Sequence, residues 1–265
     1  MRIPFAQIDA FADAPFAGNP AAVMPLTAWL DDAVLQAIAA ENNLSETAFL
    51  IPDESGESDF ELRWFTPAAE VALCGHATLA SGHFVLSSED SRAAVTFRTR
   101  QAGVLLVERR DDGYAMALPD WKPGPRDLAH VARALGVDRP VETLWHDKGY
   151  ALIVAPDEAT VRGLDPSPAA LATLDPMVAV VTARGQDTDI VSRVFTPGYG
   201  IHEDPVTGSA HAVAVPYWAE KLGRDRLTAF QASARGGRLT CVLENGRVVL
   251  GGQCVTVIEG TFLLP

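Results

Sequence analysis

Hydrophobic positions along this chain alternate in short runs or recur at helical spacing, and the order of the two patterns is given twice. In the first half, Pro4–Phe11 alternates as a strand. Ala14-Pro15-Phe16-Ala17-Gly18-Asn19-Pro20 is a turn-rich loop, and Ala21–Met24 is a short strand. Leu30, Val34, Leu35 and Ile38 share one helical face, so the spacing predicts a helix over Ala28–Glu41 with Thr27 as N-cap. Strands follow at Thr47–Ile51 and Phe60–Phe65. Ala77–Leu86 is apolar on most sides, which predicts a helix buried all round. Ala94–Arg98, Val104–Arg109 and Tyr114–Ala117 read as antiparallel strands, with Asp111-Asp112-Gly113 as a hairpin turn.

The second half predicts strands at Ala151–Ala155, Met177–Thr182 and Ile190–Phe195, with a helix at Pro168–Thr173. A helix over Ser209–Leu222 contains Pro216, which should kink it or remove one hydrogen bond. Leu239–Leu243, Arg247–Gly251 and Val255–Leu263 are the closing strands. Asp120–Asp127, with Pro123 and Pro125, is the expected linker.

The halves share residues as well as order. Arg63-Trp64-Phe65-Thr66-Pro67 leads to Cys74-Gly75-His76-Ala77, and Arg193-Val194-Phe195-Thr196-Pro197 leads to Thr207-Gly208-Ser209-Ala210. A single repetition implies two related halves, not a solenoid. Each copy ends in a Gly that opens a helix, where unpaired N–H groups and partial positive charge favour an anion such as a carboxylate. The alternative is that Gly75 and Gly208 only start buried helices. The copies differ in their polar groups, with Cys74 and His76 in one and Asp204, Thr207 and Ser209 in the other. Unlike groups on one repeated scaffold are what a site between two halves would need.

Glu46 leaves a helix and enters an apolar strand, which would carry it to the edge of the core. There desolvation favours proton uptake and suits a carboxylate to taking and returning a proton; the plain alternative is a surface or capping Glu. Cys74 at a helix start could be a base or nucleophile, or a small core residue. His76 could donate to developing negative charge or shuttle a proton. Asp204, Thr207 and Ser209 also fit an ordinary acidic N-terminal capping sequence. His202, Glu203, Asp204 and His211 are ligand types, but their spacing fits no metal motif, so no metal is expected. Cys241 and Cys254 read as core. Phe16, Trp64 and Tyr199 either line a pocket or pack inside.

The net charge of −13 disfavours nucleic acid and anionic membrane as partners. Three cysteines, the lack of an apolar signal core after Met1 and the absence of a membrane-length apolar run lead to the expectation of a cytoplasmic protein.

Asp9-Ala10-Phe11, Gly18-Asn19-Pro20, Asn43-Leu44-Ser45-Glu46-Thr47, Phe65-Thr66-Pro67, Cys74-Gly75-His76-Ala77-Thr78 and Glu203-Asp204-Pro205-Val206-Thr207-Gly208-Ser209-Ala210, in this order, resemble the PhzF-like family of phenazine-biosynthesis isomerases and their relatives. The resemblance implies an α+β, diaminopimelate epimerase-like fold. It implies two pseudo-symmetric domains, each wrapping a curved, mostly antiparallel sheet around a central helix: 1–118, with the strand at about 256–265 expected to return to it, and 119–255. It implies Glu46 as acid/base, with His76 and Asp204 assisting. Gly75, Gly208 and Ser209, joined by Asn19, Cys74 and Thr207, would hold a small unsaturated carboxylate. No cofactor and a homodimer are implied as well. The wider fold uses a cysteine before each helix-start Gly, whereas this chain has Thr207 at the second position, whose hydroxyl is too weak an acid for that role. The expectation is therefore a one-base isomerase. The alternatives are an epimerase or racemase using Cys74, or a silent carboxylate-binding relative.

Overall fold

In a computed structural model describing residues 1–198 and 201–264, two compact units emerge: Met1–Ala117 with Gly251–Pro265, and Leu118–Leu250. Tyr199 lies outside the described residues. The elements run β1 (Arg2–Ala10), β2 (Asn19–Pro25), α1 (Asp32–Asn42), β3 (Glu46–Pro52), β4 (Phe60–Phe65), β5 (Glu70–Val71), α2 (Gly75–Ser87), β6 (Ala94–Thr99), β7 (Val104–Arg110) and β8 (Gly113–Pro119). They continue with β9 (Gly124–Pro125), α3 (Ala129–Ala134), β10 (Glu142–His146), β11 (Tyr150–Val154), α4 (Glu158–Arg162), α5 (Pro168–Leu171), β12 (Val178–Arg184), β13 (Ile190–Thr196) and β14 (Ile201–Asp204). The last are α6 (Gly208–Leu222), β15 (Arg226–Gln231), β16 (Gly237–Glu244), β17 (Arg247–Gly252) and β18 (Cys254–Leu263). The architecture is α+β, a mixed and curved sheet with few helices.

In the first unit, β18 and β2 flank β1 antiparallel, β3 joins β2 in parallel, and β4 joins β3 antiparallel. β6 then pairs with β4 in parallel, and β7 and β8 follow antiparallel. Each parallel pair spans a helical crossover, α1 or α2, as parallel pairing requires. One face of this sheet carries α1: Phe49 and Phe65 meet edge to face at 5.6 Å and pack with Met24, Leu35 and Ile38. α2 packs against β1, β2, β3, β6, β7 and β18, so the sheet wraps around it. Small residues permit that enclosure: a Cβ on Gly82 would come within 2.4 Å of Val107 Cγ1, so only glycine lets α2 approach β7.

The second unit repeats the pattern. β9 and β11 flank β10 antiparallel, β12 joins β11 in parallel, β13 joins β12 antiparallel, and β15 joins β13 in parallel. α6 takes the place of α2, packing against β11, β12, β15 and β16.

Two expectations need correction. The first helix begins at Asp32 with Asp31 before it, not at Ala28 behind Thr27. Trp29 and Leu30 continue the helical spacing, but they pack on the apolar cluster from irregular backbone, and Trp29 Nε1 donates to Glu61 at 3.0 Å. Asp120–Asp127 is not a free linker. Gly124 and Pro125 form β9, and Asp120 N–H donates to Gly246 O at 3.1 Å. Pro216 lies inside an unbroken α6 and cannot donate to Ala212 O, four residues earlier; Trp121 N–H fills that carbonyl at 3.1 Å. One proline's lost bond thus ties down the segment that other prolines marked as loose.

Candidate active site

The start of α2 gathers five of the expected residues. Asn19 opens β2, Glu46 opens β3, and Cys74 and His76 flank Gly75 at the helix start. β2 and β3 run in parallel with Ala21 beside Glu46, which brings both strand ends under the helix. His76 Nε2 lies 3.0 Å from Glu46 Oε2, although the ring N–H is not aligned for a hydrogen bond. On the other side of the ring, Asn19 Nδ2 is 3.2 Å and Cys74 Sγ 3.5 Å from His76 Nδ1. His76 is buried, while Glu46 keeps 13% of its side-chain surface open.

Burial would lower the His76 imidazole, but Cys74 and Glu46 beside it outweigh that and hold it well above its ordinary value. Burial, then the Glu46 charge, pushes the Cys74 thiol up to about 11. Near neutrality Cys74 is therefore a thiol, and the charge that favours imidazolium is that of Glu46. Glu46, Cys74 and His76 present ligand-type atoms within 4.8 Å of one another. Glu46 and Cys74 face different ring nitrogens, so one ion could not take all three without turning the ring. His202, Glu203, Asp204 and His211 do not form such a group: Glu203 is committed to Arg193 at 2.7 Å, and His211 Nδ1 to Thr207 O at 2.9 Å.

The loop between β1 and β2 is anchored at this site. Its ends, Ala10 and Asn19, pair directly, and a Cβ on Gly18, at φ +64°, would meet Ala10 O at 2.2 Å. Buried Asp9 accepts the Phe16 N–H at 3.0 Å, and Phe16 is 78% exposed at φ 72°. Phe16 is therefore not core.

At the start of α6, Thr207 Oγ1 donates to Asp204 Oδ2, and Thr207 N–H donates to Gln231 Oε1 at 2.8 Å. Gln231 Nε2 donates to Asp204 O at 2.7 Å. Gln231 is fully buried and no sequence signal picked it out. Ser209 is half-buried in the first turn. Burial pushes His211 below its ordinary value, so it stays neutral near neutrality.

Neither α2 nor α6 has a side-chain cap, although Gly75, His76 and Gly208 are buried. Of the other helices, α4 and α5 are capped, by Asp157 on Thr160 N and Ser167 on Ala170 N, whereas α1 and α3 are not. Uncapped N–H groups at two buried helix starts are what anion binding would leave free. The repeated arginines have structural work: Arg63 pairs with Glu70 and Asp32, each at 2.8 Å, and Arg193 with Glu203.

Residues 8–260 match the family described as phenazine biosynthesis-like protein. An uncharacterised isomerase of Pseudomonas aeruginosa is 47% identical over the full length of both chains. A PhzF-family crystal structure from Enterococcus faecalis superposes with a TM-score of 0.91 at 42% identity, covering all of both chains. A hydroxyproline epimerase from Agrobacterium vitis, with bound trans-4-hydroxy-L-proline, shares the fold at a TM-score of 0.64 and 12% identity, covering 98% of this chain and 92% of its own.

Proposed function

The chain belongs to the phenazine biosynthesis-like protein family, and we propose that it is a cofactor-independent isomerase of small unsaturated carboxylates with Glu46 as its single acid/base. The observation that carries this reading is Glu46 Oε2 at 3.0 Å from the His76 ring, beside an uncapped helix start. The Glu46 carboxylate takes a C–H proton; the electron pair left on carbon delocalises toward the substrate's carboxylate. The protonated Glu46 then returns the proton to another carbon as the double bond shifts, so atoms and charge balance without an oxidant. His76 keeps Glu46 oriented, and the Gly75 N–H end of α2 faces the developing negative charge. In the second unit, the helix start formed by Thr207, Gly208 and Ser209 is proposed as a carboxylate-binding end of the same kind, with Asp204 in an assisting role.

A Cys74-based epimerase is less well supported. Its thiol titrates at about 11, far from the poise a base needs, and the Thr207 hydroxyl is committed to Asp204. The test is proton NMR in heavy water with a panel of unsaturated, hydroxy and amino carboxylates. Deuterium entering a panel member with wild type and not with Glu46→Gln is the expected result. Equal exchange by both proteins removes Glu46 from the role.

A further inference from the structure

The repeat has one mismatch within its strand: Trp64 on β4 stands where β13 has Val194. Both side chains are buried, at 2% and 0% exposure, so the scaffold accepts an aliphatic residue at this position. Trp64 nevertheless brings a polar atom into the interior, and its indole N–H has no hydrogen-bond partner among the described residues. A buried indole N–H ordinarily finds one. Trp29 donates to Glu61 and buried Trp218 donates to Thr182, both at 3.0 Å.

Register shows which way Trp64 faces. On β3 and β4, Phe49 and Phe65 face α1, as does Arg63, which pairs with Asp32. Residues between them point to the opposite face, where Glu46 meets His76 of α2. Trp64 is directly opposite Ala48, so it shares that face with Ala48 and Glu46 and is diagonal to Glu46. Diagonal neighbours lie roughly 7–8 Å apart, within reach of an aromatic side chain. An unpaired donor thus occupies the same face as the carboxylate and imidazole, neither of which has an aligned hydrogen bond at Oε2 or Nε2.

We propose that the Trp64 indole N–H is a substrate-binding group of the Glu46 site, donating to a carboxylate or carbonyl oxygen of the carbon acid. The assignment rests on the reading of Glu46 as acid/base. An indole can only donate, so its counterpart on the substrate is an acceptor oxygen. Shielded from water, such a donor stabilises the charge that builds on oxygen when a neighbouring C–H is deprotonated.

The test follows the five tryptophan indole N–H resonances of the whole protein during titration with crotonate, a small unsaturated carboxylate. Trp64→Phe assigns the Trp64 signal; Phe variants of Trp29, Trp121, Trp145 and Trp218 assign it by elimination if Trp64→Phe does not fold. The Trp64 resonance should move downfield in wild type and in Glu46→Gln alike, and Trp64→Phe should bind crotonate about tenfold more weakly. A Trp64 signal unmoved at the highest soluble crotonate concentration, or unchanged affinity in Trp64→Phe, overturns the assignment. Exchange that survives in Glu46→Gln overturns the acid/base reading instead and leaves the indole shift standing.

Discussion

The starts of α2 and α6 are the same piece of architecture built with different chemistry. Both follow an Arg-x-Phe-Thr-Pro strand, both begin with Gly after an extended residue, and both lack a side-chain cap. In the first unit the neighbouring groups are titratable, Glu46, His76 and Cys74, and both His76 and Cys74 are raised above their ordinary values. In the second they hydrogen-bond among themselves: Thr207 to Asp204 and Gln231, and Gln231 back to Asp204. Even the residue bonding the N-cap carbonyl differs, being Thr78 in α2 and neutral His211 in α6. Duplication of a fold thus duplicates the backbone N–H groups, while side-chain divergence leaves the carboxylate, imidazole and thiol cluster to one copy.

The contrast can be broken most severely at Glu46. Glu46→Gln should lower turnover by about a thousandfold, measured as deuterium uptake, because it removes the proton acceptor and leaves the helix start intact. The second unit should answer in stability instead. Gln231→Leu leaves the Thr207 N–H and Asp204 carbonyl without their buried partner and should cost about 2–4 kcal/mol in denaturant unfolding.

A pH series sharpens the difference further. Because His76 is raised in the folded state, its contribution to stability is complete below the ordinary 6.5 and is lost as pH rises through the folded value. Wild type should therefore lose stability relative to His76→Asn above 6.5, as followed by thermal melting. A constant difference across the series would contradict the raised value. The smallest effect is expected at Cys74: Cys74→Ser should change turnover by less than about tenfold. Iodoacetamide should label Cys74 slowly until pH approaches about 11.

Much of this was legible in the sequence because the site is built on local signals. Glycine-led helix starts and a carboxylate entering an apolar strand each occupy a few consecutive residues, whereas Asn19 was marked only by the family resemblance. The central helices were visible because they are apolar on most sides. What escaped depended on distant partners. Gln231 acquires its role only when β15 aligns beside β13, and β15 itself went unread although Leu227 and Ala229 alternate. The supposed linker looked loose because two of its prolines were visible, whereas the carbonyl freed by Pro216, which binds it, lies about 90 residues away. The short β5 and β9 are set by pairing with β4 and β10 and have no pattern of their own. The repeat showed Trp64 beside Val194, but only sheet register gave the mismatch a direction.

The central claim is that one carboxyl in one unit both removes and returns the proton. A substrate from the exchange panel, deuterated at the carbon that loses its proton, should be converted in ordinary water and the product examined for label at the carbon that gains one. A single acid/base at Glu46 predicts that part of the label is carried across, to the same extent in wild type and Cys74→Ser. Complete loss of label to solvent in the first turnovers, with Cys74→Ser inactive, would contradict it and point to a thiol-dependent mechanism with two proton carriers.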